Sequence, residues 1–200
     1  MIHNLLKNKQ IILASGSPRR KEIFSFIGLK AVQVSPDVDE AMFTTNPREL
    51  VKVHAENKAR AVASQFDCDC VVVAADTIVF HNKIILGKPR SAEEAADYLR
   101  RLSGDSHHVY TGVAIACGNR VISDFIKTRV EFNELSFEEI DEYIKTKEPM
   151  DKAGAYGIQG YGSQFISKIS GCYFNVMGFP VSLFYEMLQR LFWKKEEEEN

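Results

Sequence analysis

The sequence lacks the features that mark several protein classes. Its four cysteines, Cys68, Cys70, Cys117 and Cys172, form no C-x-x-C pair, which disfavours a zinc site. Cys68 and Cys70 are too close for an ordinary disulfide, so we interpret the cysteines as reduced. No stretch approaches the ~20 apolar residues of a membrane span, and residues 1–10 hold no apolar run of signal-peptide length. We therefore expect a cytoplasmic protein with no membrane partner.

The chain also lacks an excess of charge of one sign. Its 200 residues carry 25 Lys and Arg against 27 Asp and Glu, a formal net charge of -2. Proteins that hold DNA or RNA by the backbone normally show a basic excess, so a nucleic-acid partner is disfavoured. The length suits a single catalytic domain over 1–200, which can consist of two small lobes that share a core. The run K-K-E-E-E-E-N at 194–200 is expected to be a charged, flexible tail.

The most informative segment present is I-I-L-A-S-G-S-P-R-R, residues 11–20. It indicates a short strand, a small polar turn and a helix that Ser17 caps and Pro18 begins. A helix N-terminus offers unpaired backbone N–H groups to an anion. Arg19 and Arg20 add permanently charged, forked donors that suit phosphate oxygens. The segment therefore predicts a site for a phosphorylated ligand.

The rest of the chain alternates β-rich and helical patterns, which predicts an α/β protein. An Asn-Pro start predicts a helix over 46–66, with Val53 among the residues that face inward. The turn-forming segments 81–83 and 118–119 each separate two β-rich runs and predict hairpins. The sheet is therefore expected to be mixed. A final helix is predicted to begin at Pro180.

Asp76 lies inside C-V-V-V-A-A-D-T-I-V-F, residues 70–80, a run typical of a strand buried on both faces. An ionised carboxylate there is costly unless it meets a cation, a metal or a dense set of hydrogen bonds. At the end of a central strand, such a carboxylate can bind a divalent metal or deprotonate a water. The alternative is that Asp76 lies just past the buried part and caps a loop. We favour the functional interpretation.

Other polar residues are weaker candidates. Lys88, in G-K-P-R, can face a phosphate or be an ordinary surface lysine. The loop D-K-A-G-A-Y-G-I-Q-G, residues 151–160, allows close backbone approach, and its Gln159 can recognise a base edge. Neither common nucleotide motif, G-x-x-x-x-G-K-[ST] or G-x-G-x-x-G, is present. Glu40, in an acidic loop, can ligate a metal or lie on a solvated face. The histidines, His54 among them, show no spacing that indicates zinc or a catalytic triad.

Several separated motifs resemble, in order and over nearly the whole chain, those of the Maf family of nucleoside triphosphate pyrophosphatases. These motifs are S-G-S-P-R-R (15–20), A-A-D-T-I-V (74–79), G-K-P-R (87–90), L-S-G (102–104) and the loop 151–160. At three positions, Arg19, Thr77 and Gln159, the residues are similar to those of the branch that acts on dTTP and UTP. The branch that acts on 7-methyl-GTP typically has tryptophan, glutamine and glutamate there. The resemblance thus implies that Arg19, Thr77 and Gln159 determine specificity.

The resemblance also implies a fold, an assembly and a mechanism. The implied fold is an elongated α/β structure in which a mixed sheet with flanking helices forms two lobes around a central cleft. A homodimer and a divalent cation, magnesium or manganese, are implied. Asp76 is implied as the proton acceptor that activates water for attack at the α-phosphorus. The implied triphosphate-binding residues, besides Arg19, are Ser15, Arg20, Lys58 and Lys88, and the implied metal ligands are Glu40 and Asp76.

Two alternatives stay open. A related housecleaning enzyme can remove non-canonical purine triphosphates by the same chemistry with a different base pocket. A nucleotide-binding regulator of cell division can bind a triphosphate without turnover. We favour hydrolysis of dTTP and UTP, and of modified pyrimidine triphosphates, because a pure binder has no need for a carboxylate buried beside so much phosphate-binding charge. A housecleaning role and a link to cell division arrest are expectations from the same resemblance.

Overall fold

The computed structural model describes residues 1–66 and 70–192. Cys68 and the tail at 194–200 lie outside these residues, and the predictions made for them stay predictions. Cys70, Cys117 and Cys172 remain thiols, as expected. Within the described ranges, no helix combines the length and the apolar character that crossing a membrane requires.

One mixed β-sheet organises the described part of the chain. Its strands are β1 (Gln10–Ala14), β2 (Val32–Val34), β3 (Cys70–His81), β4 (Ile84–Leu86), β5 (Ser106–Cys117), β6 (Arg120–Phe132) and β7 (Ile166–Ser170). The strand order is β2-β1-β3-β5-β6-β7, and β4 pairs with β3 outside this path. β1 pairs in parallel with β2 and β3, whereas the remaining pairs are antiparallel. The predicted mixed sheet is confirmed.

The predicted hairpins are also confirmed. Asn82 and Lys83 connect β3 to β4 with φ angles of 47° and 67°. Positive φ at both central residues gives the turn the twist that two antiparallel strands need. Gly118 and Asn119 connect β5 to β6, with Cys117 opposite Arg120. Short turns of this kind fix the register of the long strands that carry part of the site.

Helices flank the sheet, and the three whose starts the sequence predicted begin within one residue of the expected positions. They are α1 (Ile2–Leu5), α2 (Pro18–Phe26), α3 (Pro47–Ala63), α4 (Ala92–Leu102), α5 (Phe137–Lys145), α6 (Tyr173–Met177) and α7 (Val181–Phe192). Asn46 caps α3 by accepting a hydrogen bond from the Arg48 amide. Ser17 precedes α2 as predicted, but its side chain makes no capping hydrogen bond there. The Ser15 hydroxyl instead accepts from the Ser17 amide.

The two faces of the central strands pack against different helices. Odd-numbered residues of β1, β3 and β5 pack with α2 and α7, whereas even-numbered residues pack against α3. This period of two follows from the alternation of side chains along a strand. On α3 the prediction for Val53 is wrong, because Val51 is fully buried and Val53 is half-buried. A further cluster, which includes Tyr143 and Tyr156, packs α4 and α5 against the far end of the sheet.

Gly112 explains how closely α3 approaches the sheet. It lies on β5 opposite Asp76 of β3, on the face that α3 covers. A Cβ atom at this position would overlap the carbonyl group of Val51 on α3. Only glycine therefore allows the present distance between the helix backbone and the sheet. This close approach brings the α3 side chains toward Asp76.

We expect Gly112→Ala to lower the free energy of unfolding by about 3 kcal/mol, because the added methyl group forces α3 away from the sheet. Urea unfolding measures this change. Gly87→Ala is the matched control, since a Cβ at Gly87 meets no atom within 4 Å in the described structure. Equal stability of the two variants would contradict the close packing of α3.

His107 creates a pH-dependent contribution to stability. It is buried on β5, where Nε2 lies 2.6 Å from the Tyr156 hydroxyl and the ring meets Phe132 edge-on. Burial lowers the pKa of His107 to about 3, helped by the nearby histidines His81 and His108. Between pH 3 and about 6.5, His107 is neutral in the folded protein and protonated in the unfolded chain. Its contribution to stability is therefore lost as the pH falls through that range.

We expect wild type to lose about 2 kcal/mol of stability through this residue between pH 7.5 and pH 5. His107→Phe removes the titrating group, so its stability relative to wild type should improve by that amount at the lower pH. Urea unfolding of both proteins at the two pH values measures the difference. A stability difference that does not change with pH would contradict a neutral buried His107.

Candidate active site

A cleft of about 960 Å³ brings the predicted residues together. The β1–α2 turn, α3, β3 and the loop after α5 contribute to its walls. Every residue that the sequence assigned to the site lines this cleft: Ser15, Arg19, Arg20, Glu40, Lys58, Asp76, Thr77, Lys88 and Gln159. Residues that are distant in the chain, such as Ser15 and Gln159, therefore lie in one cleft.

An open edge of β3 connects two sides of the sheet at this cleft. β1 pairs with β3 from Cys70 to Ala74, and β4 pairs with it again from Val79 to His81. The segment between them, 75–78, carries Asp76 on the α3 face and Thr77 on the opposite face. Both side chains reach the cleft because it passes this edge.

Asp76 lies in the middle of β3. The sequence-based prediction that it lies at the end of a strand is therefore wrong. The strand continues to His81, so the alternative in which Asp76 caps a loop is wrong. Only 6% of Asp76 is exposed. The strand can continue through a buried carboxylate because cationic side chains from α3 compensate its charge.

Lys58 is one of the α3 cations that compensate the charge of Asp76. Its Nζ atom donates to Asp76 Oδ1 at 2.6 Å and to Glu40 Oε1 at 2.9 Å. Lys58 is itself buried, whereas half of the Glu40 side chain is exposed. One ammonium group therefore joins the central strand to the loop that precedes α3.

His54 is a member of this cluster that the sequence analysis missed. Its Nδ1 lies 3.3 Å from Asp76 Oδ2, and its Nε2 lies 3.2 Å from the carbonyl oxygen of Ala41. Both partners are acceptors, so an imidazole that makes both bonds carries two protons. The hydrogen bond with Asp76 raises the pKa of His54, although burial opposes this. The available signal was the spacing of four residues between His54 and Lys58, which places both on one helix face.

The Asp76 carboxyl is ionised at neutral pH. Burial by itself would raise its pKa, but the hydrogen bond with His54 and the charge of Lys58 outweigh burial and lower the pKa to about 2. A carboxylate in this state can accept a proton or bind a cation. Among the described residues that line the cleft, Asp76 is the only buried acidic residue.

Arg20 is held rigidly on the other side of the β3 edge. It donates to the Gly178 carbonyl at 2.9 Å, the Ser15 hydroxyl at 3.0 Å and the Thr77 hydroxyl at 3.1 Å. Burial lowers the pKa of Arg20, and the charge of Asp76 opposes that change. Its three partners are neutral, so the positive charge remains available to an anion in the cleft.

Arg19, one of the predicted specificity residues, is hydrogen-bonded to the segment that precedes another, Gln159. Arg19, at the start of α2, donates to Asp151 Oδ2 at 2.8 Å and to the Asp151 carbonyl at 3.2 Å. Asp151 belongs to the segment that leads to Gln159, whose side chain is half-buried at the cleft. The third, Thr77, contacts Arg20 and the Thr111 hydroxyl. Lys88 is exposed just after β4.

The acidic residues of the cleft fit a cation that arrives with phosphate. Glu40 and Asp76 converge on one ammonium group, that of Lys58, so both carboxylates can reach a common cation position. Within the described residues, no group of three or more His, Cys, Asp or Glu side chains is arranged to hold a metal. Magnesium is commonly bound by one or two carboxylates together with substrate phosphates, which is the donor set this cleft can offer.

Comparison with known proteins agrees with the motifs. A relative from Alkaliphilus oremlandii (strain OhILAs), named dTTP/UTP pyrophosphatase, is 51% identical over 176 residues, which cover 86% of this chain and 91% of the relative. One of the same name from Geobacillus sp. (strain WCH70) is 47% identical over 186 residues, covering 92% and 100%. The solved structure of the Staphylococcus aureus Ham1 protein shares 16% identity with a TM-score of 0.47, over 79% of this chain and 80% of that one.

The sequence matches one family model over almost its whole length. The model of the family described as Maf-like protein matches residues 10–191. That range extends from β1 to α7 and contains every residue that the sequence assigned to the site. The chain belongs to the Maf-like protein family.

Proposed function

We propose that the chain hydrolyses dTTP and UTP to the nucleoside monophosphate and pyrophosphate. The observation that carries the proposal is the buried, ionised Asp76 at a cleft with Lys58 and Arg20 beside it. A carboxylate in such surroundings can orient and deprotonate water, while the cations bind phosphate oxygens. The names of the relatives, dTTP/UTP pyrophosphatase, support the same reaction and the same nucleotides.

The cationic groups suit a triphosphate that is attacked at its α-phosphorus. Water attack there expels pyrophosphate, so negative charge grows on the equatorial and leaving oxygens. Lys58 is a buried cation, Arg20 is a half-buried cation fixed by three hydrogen bonds, and Ser15 is a buried hydroxyl held by Arg20. Lys88, exposed at the cleft, can follow the outer phosphates. Preorganised charges of this kind stabilise the transition state without a cost of reorganisation.

Triphosphate binding should change the basicity of Asp76. In the structure, Lys58 and His54 keep the pKa of Asp76 low, which makes its carboxylate a weak proton acceptor. A triphosphate competes for Lys58 and adds negative charge nearby, and both effects raise the pKa of a neighbouring carboxyl. Asp76 is thus kept as a carboxylate before binding. In the complex, the phosphate charge and the weaker Lys58 contact would raise its pKa, and a metal ion bound to it would oppose that rise.

We also propose that the reaction uses magnesium or manganese. Glu40 and Asp76 would hold the ion, together with phosphate oxygens of the substrate. When bound, the ion would supply further neutralisation of the phosphate charge. Lys58 contacts both carboxylates in the structure, so it can keep them close to each other before the ion arrives.

The selection of thymine and uracil is assigned to Arg19, Thr77 and Gln159. Gln159 offers an amide that can both donate to and accept from a base edge. Arg19 and Asp151 fix the wall next to it, and Thr77 orients Arg20. A homodimer, a cytoplasmic location and a housecleaning role, with a link to cell division arrest, complete the proposal.

Replacement of the base provides the first test. Asp76→Asn should lower kcat for dTTP by about 10²-fold or more, because the amide cannot accept the proton from water. The KM should change far less, since Arg20 and Ser15 remain in place. Pyrophosphate release at saturating dTTP measures the effect. Asp97→Asn is the matched control, because it removes an exposed carboxylate of α4 that pairs with Arg101 outside the cleft. Near-normal turnover by a folded Asp76→Asn variant would remove Asp76 from the mechanism.

A nucleotide panel tests the reaction and the base preference together. Wild type should release pyrophosphate from dTTP and UTP faster than from 7-methyl-GTP or ITP in the presence of magnesium or manganese. Chromatography of the products measures each rate. Preference for ITP would favour the purine housecleaning alternative. Binding of dTTP without any release of pyrophosphate would favour a regulator without turnover.

A further inference from the structure

A tyrosine–glutamate pair outside the cleft holds the Gln159 loop, defined as residues 157–162. The Tyr143 hydroxyl, on α5, donates to Glu148 Oε1 at 2.9 Å. Neither residue is among the described residues that line the cleft. Both lie behind the loop, and burial together with Glu148 raises the pKa of Tyr143, so its hydroxyl stays protonated as the donor.

The pair binds the loop on both sides of Gln159. The Gly157 amide donates to the Tyr143 hydroxyl at 3.2 Å. The Tyr161 amide donates to Glu148 Oε2 at 2.9 Å, and the Gly162 amide donates to Glu148 Oε1 at 3.1 Å. Three backbone N–H groups around Gln159 therefore depend on two side chains. Fixing a loop from both ends restricts where its central side chain can point.

Close packing against Tyr143 and Glu148 also restricts the conformation of the Gln159 loop. A Cβ at Gly162 would lie 2.6 Å from the Tyr143 hydroxyl and 2.7 Å from the Gly157 carbonyl oxygen. A Cβ at Gly160, where φ is +71°, would collide with the Glu148 carboxylate. The glycines thus let the loop fold directly onto the pair.

The segment 148–152, which contains Glu148, also contacts Arg19 on the opposite side of the cleft. Lys152 donates to the Glu148 carbonyl at 2.6 Å and to Asp151 Oδ1 at 2.7 Å. Asp151 in turn accepts from Arg19. The segment 148–152 therefore connects to both Arg19 and the Gln159 loop, so its position affects two residues that are assigned to base selection.

We propose that Tyr143 and Glu148 are positioning residues for base selection, which act on the nucleotide through Gln159. This inference rests on the proposed function, because it takes Gln159 as the residue that recognises thymine and uracil. The pair holds the amide where it distinguishes the carbonyl edge of thymine from the amino edge of cytosine. Asp76, Lys58 and Arg20 have their hydrogen-bond partners elsewhere in the described structure, so chemistry and base selection are separable.

Glu148→Gln tests the proposal with almost no change of size. The glutamine has one acceptor oxygen, so its amide NH₂ faces either the Tyr161 amide or the Gly162 amide, in both cases donor against donor. The ratio of kcat/KM for dTTP over dCTP should fall about tenfold, because a displaced loop misplaces the reading group. The KM for dTTP should rise, whereas kcat should stay within about threefold of wild type because the Asp76 cluster is untouched.

Two further variants complete the design. Tyr143→Phe removes the hydroxyl that Gly157 needs and should lower the same ratio, which gives a second test where Glu148→Gln fails to fold. Glu142→Gln is the matched control, because it removes an exposed carboxylate next to Tyr143 on α5 and should leave the ratio unchanged. In a Gln159→Ala background, Glu148→Gln should cause no further loss of selectivity, since both act through one side chain.

An unchanged ratio in folded Glu148→Gln and Tyr143→Phe would overturn the inference. Equal losses with dTTP and dCTP, or additive losses with Gln159→Ala, would also overturn it and leave the pair a purely structural role. If wild type releases no pyrophosphate from either nucleotide, the proposed function fails separately. The ratio of dissociation constants for dTTP and dCTP, measured by calorimetry on the same variants, then decides the role of the pair.

Discussion

The contact between Asp76 and Lys58 is the constraint on which the site depends. A carboxylate in the middle of a buried strand costs several kcal/mol unless a cation meets it with good geometry. Lys58 meets this one at 2.6 Å, and His54 adds a second contact from the same helix. Because the charges compensate each other, β3 can continue past Asp76 to His81 and form the hairpin with β4. Fold and active site thus share one interaction.

The close packing of α3 makes that contact possible. Gly112, opposite Asp76, lets the helix backbone approach the sheet, and residues one turn apart on the helix then reach the carboxylate. On the opposite face, Thr77 orients Arg20, so consecutive residues of β3 organise the two cationic groups of the cleft. The open edge between β1 and β4 is where both faces become accessible to one ligand. A single strand thereby positions base and cations together.

The sequence predicted a large part of this arrangement because several signals were local and strong. The strand run around Asp76, the cap of α3 and the glycine–asparagine turn at 118–119 each depend on neighbouring residues. His54 was missed because its partner, Asp76, lies 22 residues away and pairs with it only through the packing of α3 on β3. Val53 was misplaced because the buried face of α3 runs through Val51, Ala55 and Val62, and Val53 falls outside this helical repeat. The role of the Tyr143–Glu148 pair could not be predicted either, because its contacts form only when the Gln159 loop folds over it.

The position of water attack is the central claim about the chemistry, and isotope labelling tests it most directly. Hydrolysis of dTTP in ¹⁸O-labelled water, followed by mass spectrometry, shows which product takes the oxygen. Attack at the α-phosphorus, with Asp76 as the proton acceptor, predicts that the label appears in dTMP and that the pyrophosphate is unlabelled. Label in the pyrophosphate would mean attack at the β-phosphorus, and release of labelled orthophosphate would mean attack at the γ-phosphorus. Either result would contradict the account.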